Sequence, residues 1–199
     1  MIKNVILDIG GVLVDFAWKK TMEEMGFSED CIHTLGDKLI NGGIWDEFDL
    51  GVMTEDEVLD LASREIPEYE KEIRYFWENS IQTIRPYDYC EKWVREMKDK
   101  GLNVYLLTNY PDTLFKNSVN SCFPFYPYID GEVVSSRVKV SKPNEGIYKT
   151  LFDKYSLNPD ECVFFDDRPV NVNAALSLGV HAFVFEGYEK ALEELESLL

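Results

Sequence analysis

The sequence predicts a doubly wound α/β fold, a parallel sheet flanked by helices, with a helical insertion after the first strand. Three observations carry this expectation. Short apolar runs rich in β-branched or aromatic residues recur along the chain, each ending at a polar or glycine-containing turn. Segments of helical periodicity separate the later runs. One long acidic stretch near the N-terminus is helical throughout and breaks the alternation.

The first run, Val5-Ile6-Leu7, stops at Asp8 and is followed by Gly10-Gly11. It reads as a buried strand, because it is short and carries no polar position on either face. Residues 17–84 then hold four expected helices, Trp18 to Met25, Glu29 to Ile40, Thr54 to Glu65 and Pro67 to Ile81. Thr54 followed by Glu57 gives the third a capping box. Arg85-Pro86 returns the chain to the core, with Pro86 expected to open a helix over Tyr87 to Lys100. Strands are expected at Leu102 to Leu107, Cys162 to Phe165 and Ala182 to Phe185, with helices over Pro111 to Asn120, Asn144 to Tyr155, Pro169 to Leu178 and Tyr188 to Leu199. The chain thus divides into a core of residues 1–16 and 85–199 and a cap of residues 17–84.

Composition narrows the function classes. The net charge is −17, from 37 acidic and 20 basic side chains, and such a surface repels phosphate backbones and anionic membranes. Neither nucleic acid nor a membrane is an expected partner. The apolar N-terminal run is interrupted by Asp8 and shows neither a cleavage site nor a spanning stretch. Cys31, Cys90, Cys122 and Cys162 are too far apart for zinc or redox motifs, and together these features point to the cytoplasm.

In a doubly wound sheet, ligands sit outside the carboxyl ends of the strands. Asp8, Thr108-Asn109 and Asp166-Asp167 all fall there. A strand-terminal aspartate also serves as a turn former, and Asp166 or Asp167 would equally cap the helix that begins at Pro169. Two adjacent carboxylates converging with a third nevertheless need compensation, since like charges ~4 Å apart repel by about 4 kcal/mol at an effective dielectric of ~20. A divalent cation with a preference for oxygen, Mg²⁺, is the natural partner. Thr108-Asn109 just before Pro111 offers hydroxyl, amide and backbone N–H groups at a helix start, a cradle for phosphate that would also pass as a capping turn. Lys142, before Pro143, can bring positive charge to the same place.

Taken together, Asp8-Ile9-Gly10-Gly11-Val12-Leu13, Thr108-Asn109, Lys142-Pro143 and Phe165-Asp166-Asp167 resemble the four ordered motifs of the haloacid dehalogenase-like superfamily. The last continues through Asn171, Ala175 and Leu178-Gly179 in the family's pattern. The resemblance implies a Rossmann-like core with a helical cap, and hydrolysis of a small phosphorylated metabolite through a phosphoaspartyl intermediate. Asp8 would be the nucleophile. Thr108, Asn109 and Lys142 would bind the phosphoryl group, and Asp8, Asp166, Asp167 and the Gly10 carbonyl would hold Mg²⁺.

One position departs from the pattern. Phosphatases of the family usually carry a second aspartate two residues after the nucleophile as acid and base, and here that residue is Gly10. General acid–base catalysis is typically worth ~10²–10⁴-fold. The run Asp8 to Asp15 resembles bacterial glucose-1-phosphate phosphatases that also lack this aspartate, which favours a phosphatase whose leaving group needs little protonation, as in a sugar 1-phosphate. Two alternatives are a metal-independent 2-haloacid dehalogenase, a class that usually has tyrosine at this position, and a binding or regulatory protein without turnover. Asp15 is read as a helix N-cap, with surrogate acid as its other role. Trp18, Trp45, Phe48 and Trp77 are read as cap core, with pocket lining as the alternative. His33 and His181 are isolated and are assigned no role.

Overall fold

The computed structural model describes all 199 residues, Met1–Leu199. Its chain order is β1 (Asn4–Leu7), β2 (Val14–Phe16), α1 (Trp18–Glu24), α2 (Glu29–Leu35), α3 (Ile44–Leu50), α4 (Glu55–Glu65), α5 (Glu70–Glu78) and β3 (Ile84–Pro86). There follow α6 (Cys90–Asp99), β4 (Asn103–Thr108), α7 (Asp112–Ser121), β5 (Gly131–Val134), α8 (Ser135–Val138), α9 (Glu145–Tyr155), β6 (Cys162–Asp166), α10 (Pro169–Ser177), β7 (His181–Val184) and α11 (Tyr188–Glu196).

Five strands form one parallel sheet in the order β5-β4-β1-β6-β7. β1 is the central strand, and every residue of Asn4–Leu7 is buried, as a strand covered on both faces requires. The order reverses direction at β1: the chain moves to β4 and β5 on one side and to β6 and β7 on the other. Asp8 leaves the sheet at that switch point, where open α/β sheets bind ligands. β4 ends at Thr108 and β6 ends at Asp166, on either side of it.

Helices α1 to α5 add no strand to this sheet. They leave and rejoin it through a short antiparallel pair, β2 with β3, in which Asp15 faces Arg85 in register. Apolar packing runs on from sheet to helices: one cluster joins Leu7 and Val14 to Met22, Leu35, Phe48 and Trp77. Within it Phe48 and Trp77 lie 4.0 Å apart between ring centroids, and Trp45 meets both. The capping box is present as expected. The Thr54 N–H donates to Glu57 Oε2 at 2.7 Å, and the Glu57 N–H donates to Thr54 Oγ1 at 3.3 Å.

Several expectations need correcting. Pro86 ends a strand rather than opening a helix, and α6 starts only at Cys90. Asp15 lies exposed on β2 and caps nothing; the residue before α1 is Ala17, which makes no side-chain cap. Pro111 is the N-cap of α7 rather than its first residue. Strands β2, β3 and β5 and helices α3 and α8 were not expected.

Candidate active site

A cavity of about 280 Å³ opens above the carboxyl ends of β1 and β4. Its floor is built by Asp8, Gly10, Asn109, Lys142 and Asp167, and its far wall by residues of α3. Asp8 is only 8% exposed. Its Oδ1 accepts the Ile9 N–H at 2.7 Å and lies 2.8 Å from Lys142 Nζ. Both contacts fall on the same oxygen, leaving Oδ2 without a protein partner.

Lys142 is buried between two carboxylates, since its Nζ also donates to Asp166 Oδ2 at 2.6 Å. Burial alone would lower its pKa, but the charges of Asp8 and Asp166 prevail and the net shift is upward, so the ammonium stays charged. Asn109 fixes the backbone of this lysine from both sides. The Lys142 N–H donates to Asn109 Oδ1 at 2.8 Å, and Asn109 Nδ2 donates to the Lys142 carbonyl at 3.0 Å. Asn109, expected to bind phosphate, thus uses its amide to position Lys142 while it lines the cavity.

Asp166 is fully buried and held on both oxygens. Oδ1 accepts the Arg168 N–H at 2.8 Å and Asn171 Nδ2 at 2.9 Å, and Oδ2 accepts Lys142 Nζ. Asp166 thus binds the Lys142 charge and the Arg168 N–H, but it does not cap α10, whose N-cap is Arg168 and has no side-chain cap hydrogen bond. Thr108 and Asp166 stand behind the cavity wall and do not line it, whereas Asp167 is exposed and does.

Carboxylate oxygens of Asp8, Asp166 and Asp167 lie within 4.8 Å of one another, close enough to share one metal ion. Gly11 leaves room for this arrangement. Its φ is +71°, and a Cβ there would lie 2.5 Å from Asp167 Oδ2, so any other residue would both strain the turn and displace the carboxylate. Burial, with Asp166 and Asp167 adding to it, raises the Asp8 carboxyl to about 7 against the opposing pull of Lys142. Asp167 is shifted upward too, chiefly by burial and Asp166. Without a cation the site is over-supplied with negative charge: four aspartates line the cavity, Asp8, Asp46, Asp49 and Asp167, against the two cations Lys142 and Arg168. A hard divalent cation among these oxygens fits both the geometry and the charge.

Trp45, Asp46, Asp49, Tyr110 and Arg168 also line the cavity, and sequence reading had singled out only the first. Asp46 and Asp49 come from α3, whose seven residues gave no periodic signal. Arg168 follows directly after Asp167, and that adjacency was the one available clue to it. Of Trp18, Trp45, Phe48 and Trp77, Trp45 is both core and cavity wall, 5.1 Å from Phe16, while Trp18 packs over Gly36 away from the site.

Comparison with known proteins agrees with this geometry. The chain is 26% identical over its whole length to the D-ribitol-5-phosphate phosphatase of Bacteroides thetaiotaomicron, covering 99% of that protein. It is 27% identical to the sesquiterpene phosphatase astK of Aspergillus oryzae, over 89% of this chain and 87% of that one. A HAD family enzyme of Bacteroides thetaiotaomicron, solved in complex with magnesium and inorganic phosphate, superposes with a TM-score of 0.76 at 23% identity, over 96% of this chain and 99% of the other. The model of the haloacid dehalogenase-like hydrolases matches residues 2–179. The chain is therefore a hydrolase and belongs to the haloacid dehalogenase-like family.

Proposed function

We propose that this hydrolase is a Mg²⁺-dependent phosphatase that removes phosphate from a small phosphorylated metabolite through a phosphoaspartyl intermediate on Asp8, with residues 17–84 as its cap. The observation that carries the proposal is the carboxylate of Asp8, fixed through Oδ1 by the Ile9 N–H and Lys142, with Oδ2 unengaged in a cavity of about 280 Å³. That volume suits a phosphate ester with a small leaving group, and the apolar wall of Phe16, Trp45, Ile84 and Leu114 suits its carbon skeleton. The phosphatase names of the two full-length relatives support the reaction class.

Asp8 Oδ2 attacks phosphorus, and the ester oxygen leaves with the bonding electrons. Lys142, with no freedom to move away, opposes the charge on the transferring oxygens, and Asn109 keeps it there. Mg²⁺ held by Asp8, Asp166, Asp167 and the Gly10 carbonyl would supply the positive charge that lets a phosphate dianion enter an acidic cavity. Water then displaces phosphate from Asp8.

The test is phosphate release from a panel of phosphorylated metabolites, with Mg²⁺ and with EDTA, by the wild-type protein and Asp8→Asn. The expected result is activity that is abolished by EDTA, restored by Mg²⁺ and lost by at least ~10⁴-fold in Asp8→Asn, an amide being a very poor nucleophile. Wild-type activity in the variant would exclude the mechanism. Release of halide from a 2-haloacid without metal would favour a dehalogenase instead.

A further inference from the structure

We propose that Asp49, carried by the cap helix α3, is the proton donor and acceptor of this hydrolase, taking the place of the aspartate that Gly10 does not supply. The inference rests on the phosphatase reading above.

Asp49 lines the same cavity as Asp8. Although the residue as a whole is partly exposed, its Oδ1 is shut off from solvent and has no hydrogen-bond partner in the protein. An unpartnered carboxylate oxygen in such a place is costly unless a ligand completes it. Its position is set by the core. Ser135 Oγ, at the start of α8, donates to the Asp49 carbonyl at 2.5 Å, and Lys139 Nζ reaches the Gly51 carbonyl. Gly51 has φ +65°, and a Cβ on it would lie 2.7 Å from the Ser136 carbonyl oxygen, so the end of α3 is pressed directly onto the core. The same Ser135 Oγ accepts the Tyr110 N–H at 3.0 Å, which ties Asp49 to the loop after β4.

The charged groups around Asp49 come from every wall: Asp46 on its own helix, Asp8 after β1, Lys142 before α9 and Arg168 before α10. Burial, then Asp46 and Asp8, hold its carboxyl well above the usual carboxylate range, while Lys142 and Arg168 pull the other way. The shift favours the protonated form, which is the form that leaving-group protonation requires. Asp15, the other acid considered from sequence, does not line the cavity.

The proton balance closes over two steps. As Asp8 Oδ2 forms its bond to phosphorus and the ester P–O bond breaks, the leaving oxygen takes the proton of Asp49 and departs as an alcohol. The Asp49 carboxylate then takes a proton from the attacking water. The new P–O bond forms, the phosphoaspartyl bond breaks, and Asp8 and protonated Asp49 are both restored.

The test compares an alkyl ester, glycerol 1-phosphate, with an aryl ester, 4-nitrophenyl phosphate, whose leaving group needs no proton. Asp49→Asn keeps shape and the Ser135 contact. It should lower kcat/KM for the alkyl ester ~10²–10⁴-fold. With the aryl ester it should show a burst of one nitrophenol per enzyme followed by slow turnover, because only the water step still needs the base. Space for a rescue exists, since a Cβ on Gly10 would meet nothing within 4 Å. Gly10→Asp placed on Asp49→Asn should therefore recover at least tenfold on the alkyl ester, which a merely structural Asp49 would not allow. Wild-type kinetics in Asp49→Asn on both esters would overturn the proposal and leave the phosphatase reading intact, as would wild-type turnover of the aryl ester alone. A protein that hydrolyses neither ester nor any other phosphate ester would overturn both.

Discussion

The floor of the cavity and its roof are built on opposite principles. On the floor, Asp8, Asp166 and Lys142 are locked to one another by charge, the two carboxylates also accept the Ile9 and Arg168 N–H groups, and Asn109 holds the Lys142 backbone, with Lys142 3% and Asp166 0% exposed. On the roof, Asp46 and Asp49 ride on a seven-residue helix that reaches the site because its C-terminal end docks on α8. On the phosphatase reading proposed above, the floor meets the phosphoryl group and the roof meets the leaving group, and disturbing each region should have a different signature.

The largest effect is expected on the floor. Lys142→Met removes the one ammonium among three carboxylates whose oxygens lie within 4.8 Å of each other. Breaking a buried ion pair by deleting one partner costs about 3–5 kcal/mol, because the remaining charge is left uncompensated. The metal-free variant should therefore unfold at markedly lower urea than wild type in EDTA and recover part of the loss in Mg²⁺, while turnover falls by more than ~10³-fold. A variant as stable as wild type in EDTA would mean that the carboxylates are protonated or solvated rather than held by Lys142.

The next effect is smaller and depends on pH. The Asp8 carboxyl has a folded-state pKa of about 7 against an ordinary 3.8. Between those values the folded protein binds more protons than the unfolded chain, so the stability of the metal-free protein falls as pH rises through this window and levels off above it. For Asp8 the full drop is about 4 kcal/mol. Asp49 and Asp167, also shifted upward, act in the same direction. Lys142 does not oppose them there, since its raised pKa keeps its contribution intact until the alkaline range. Urea unfolding in EDTA should show greater stability at pH 5.5 than at pH 8, and the gain from saturating Mg²⁺ should be larger at pH 8, where no proton competes for Asp8. Equal gains at both pH values would separate the metal from Asp8.

The same contrast explains what could be read from the sequence. Asp8, Thr108-Asn109 and Asp166-Asp167 were legible because each ends a buried strand, and a parallel sheet brings such ends to one edge whatever the helices do. Lys142 needed the family pattern as well, because nothing in a loop lysine before a proline marks it as buried between two acids. The clasp of Asn109 on its backbone was not legible at all, being a contact between segments 33 residues apart. Asp49 was invisible for a different reason: the role proposed for it depends on where α3 docks, which is decided by Ser135 and Gly51, far apart in the chain and together at one contact. Asp15 misled because a residue just past a nucleophile looks like a cap when the strand that follows is only three residues long.

The smallest effect belongs to the joint between floor and roof. Ser135 is fully buried, donates to the Asp49 carbonyl and accepts from the Tyr110 N–H, so Ser135→Ala deletes one atom that serves both regions. Each buried group left unpaired costs about 1–3 kcal/mol, relieved in part by relaxation, and a stability loss of about 1–2 kcal/mol follows. Apolar packing, Trp45 against Phe16 above all, should keep the cap closed. What Ser135 adds is accuracy in the placement of Asp49, so kcat for an alkyl phosphate should fall about tenfold while the first release of nitrophenol from an aryl phosphate, which needs no proton from Asp49, keeps its wild-type rate. A double-mutant cycle with Asp49→Asn sharpens this. Once Asp49 cannot donate a proton, its misplacement should matter little, and the kcat effect of Ser135→Ala should shrink to within about twofold while the stability loss persists. If the two effects on kcat multiply instead, Ser135 acts on the floor through Tyr110, and the joint serves the phosphate side of the site rather than the leaving group.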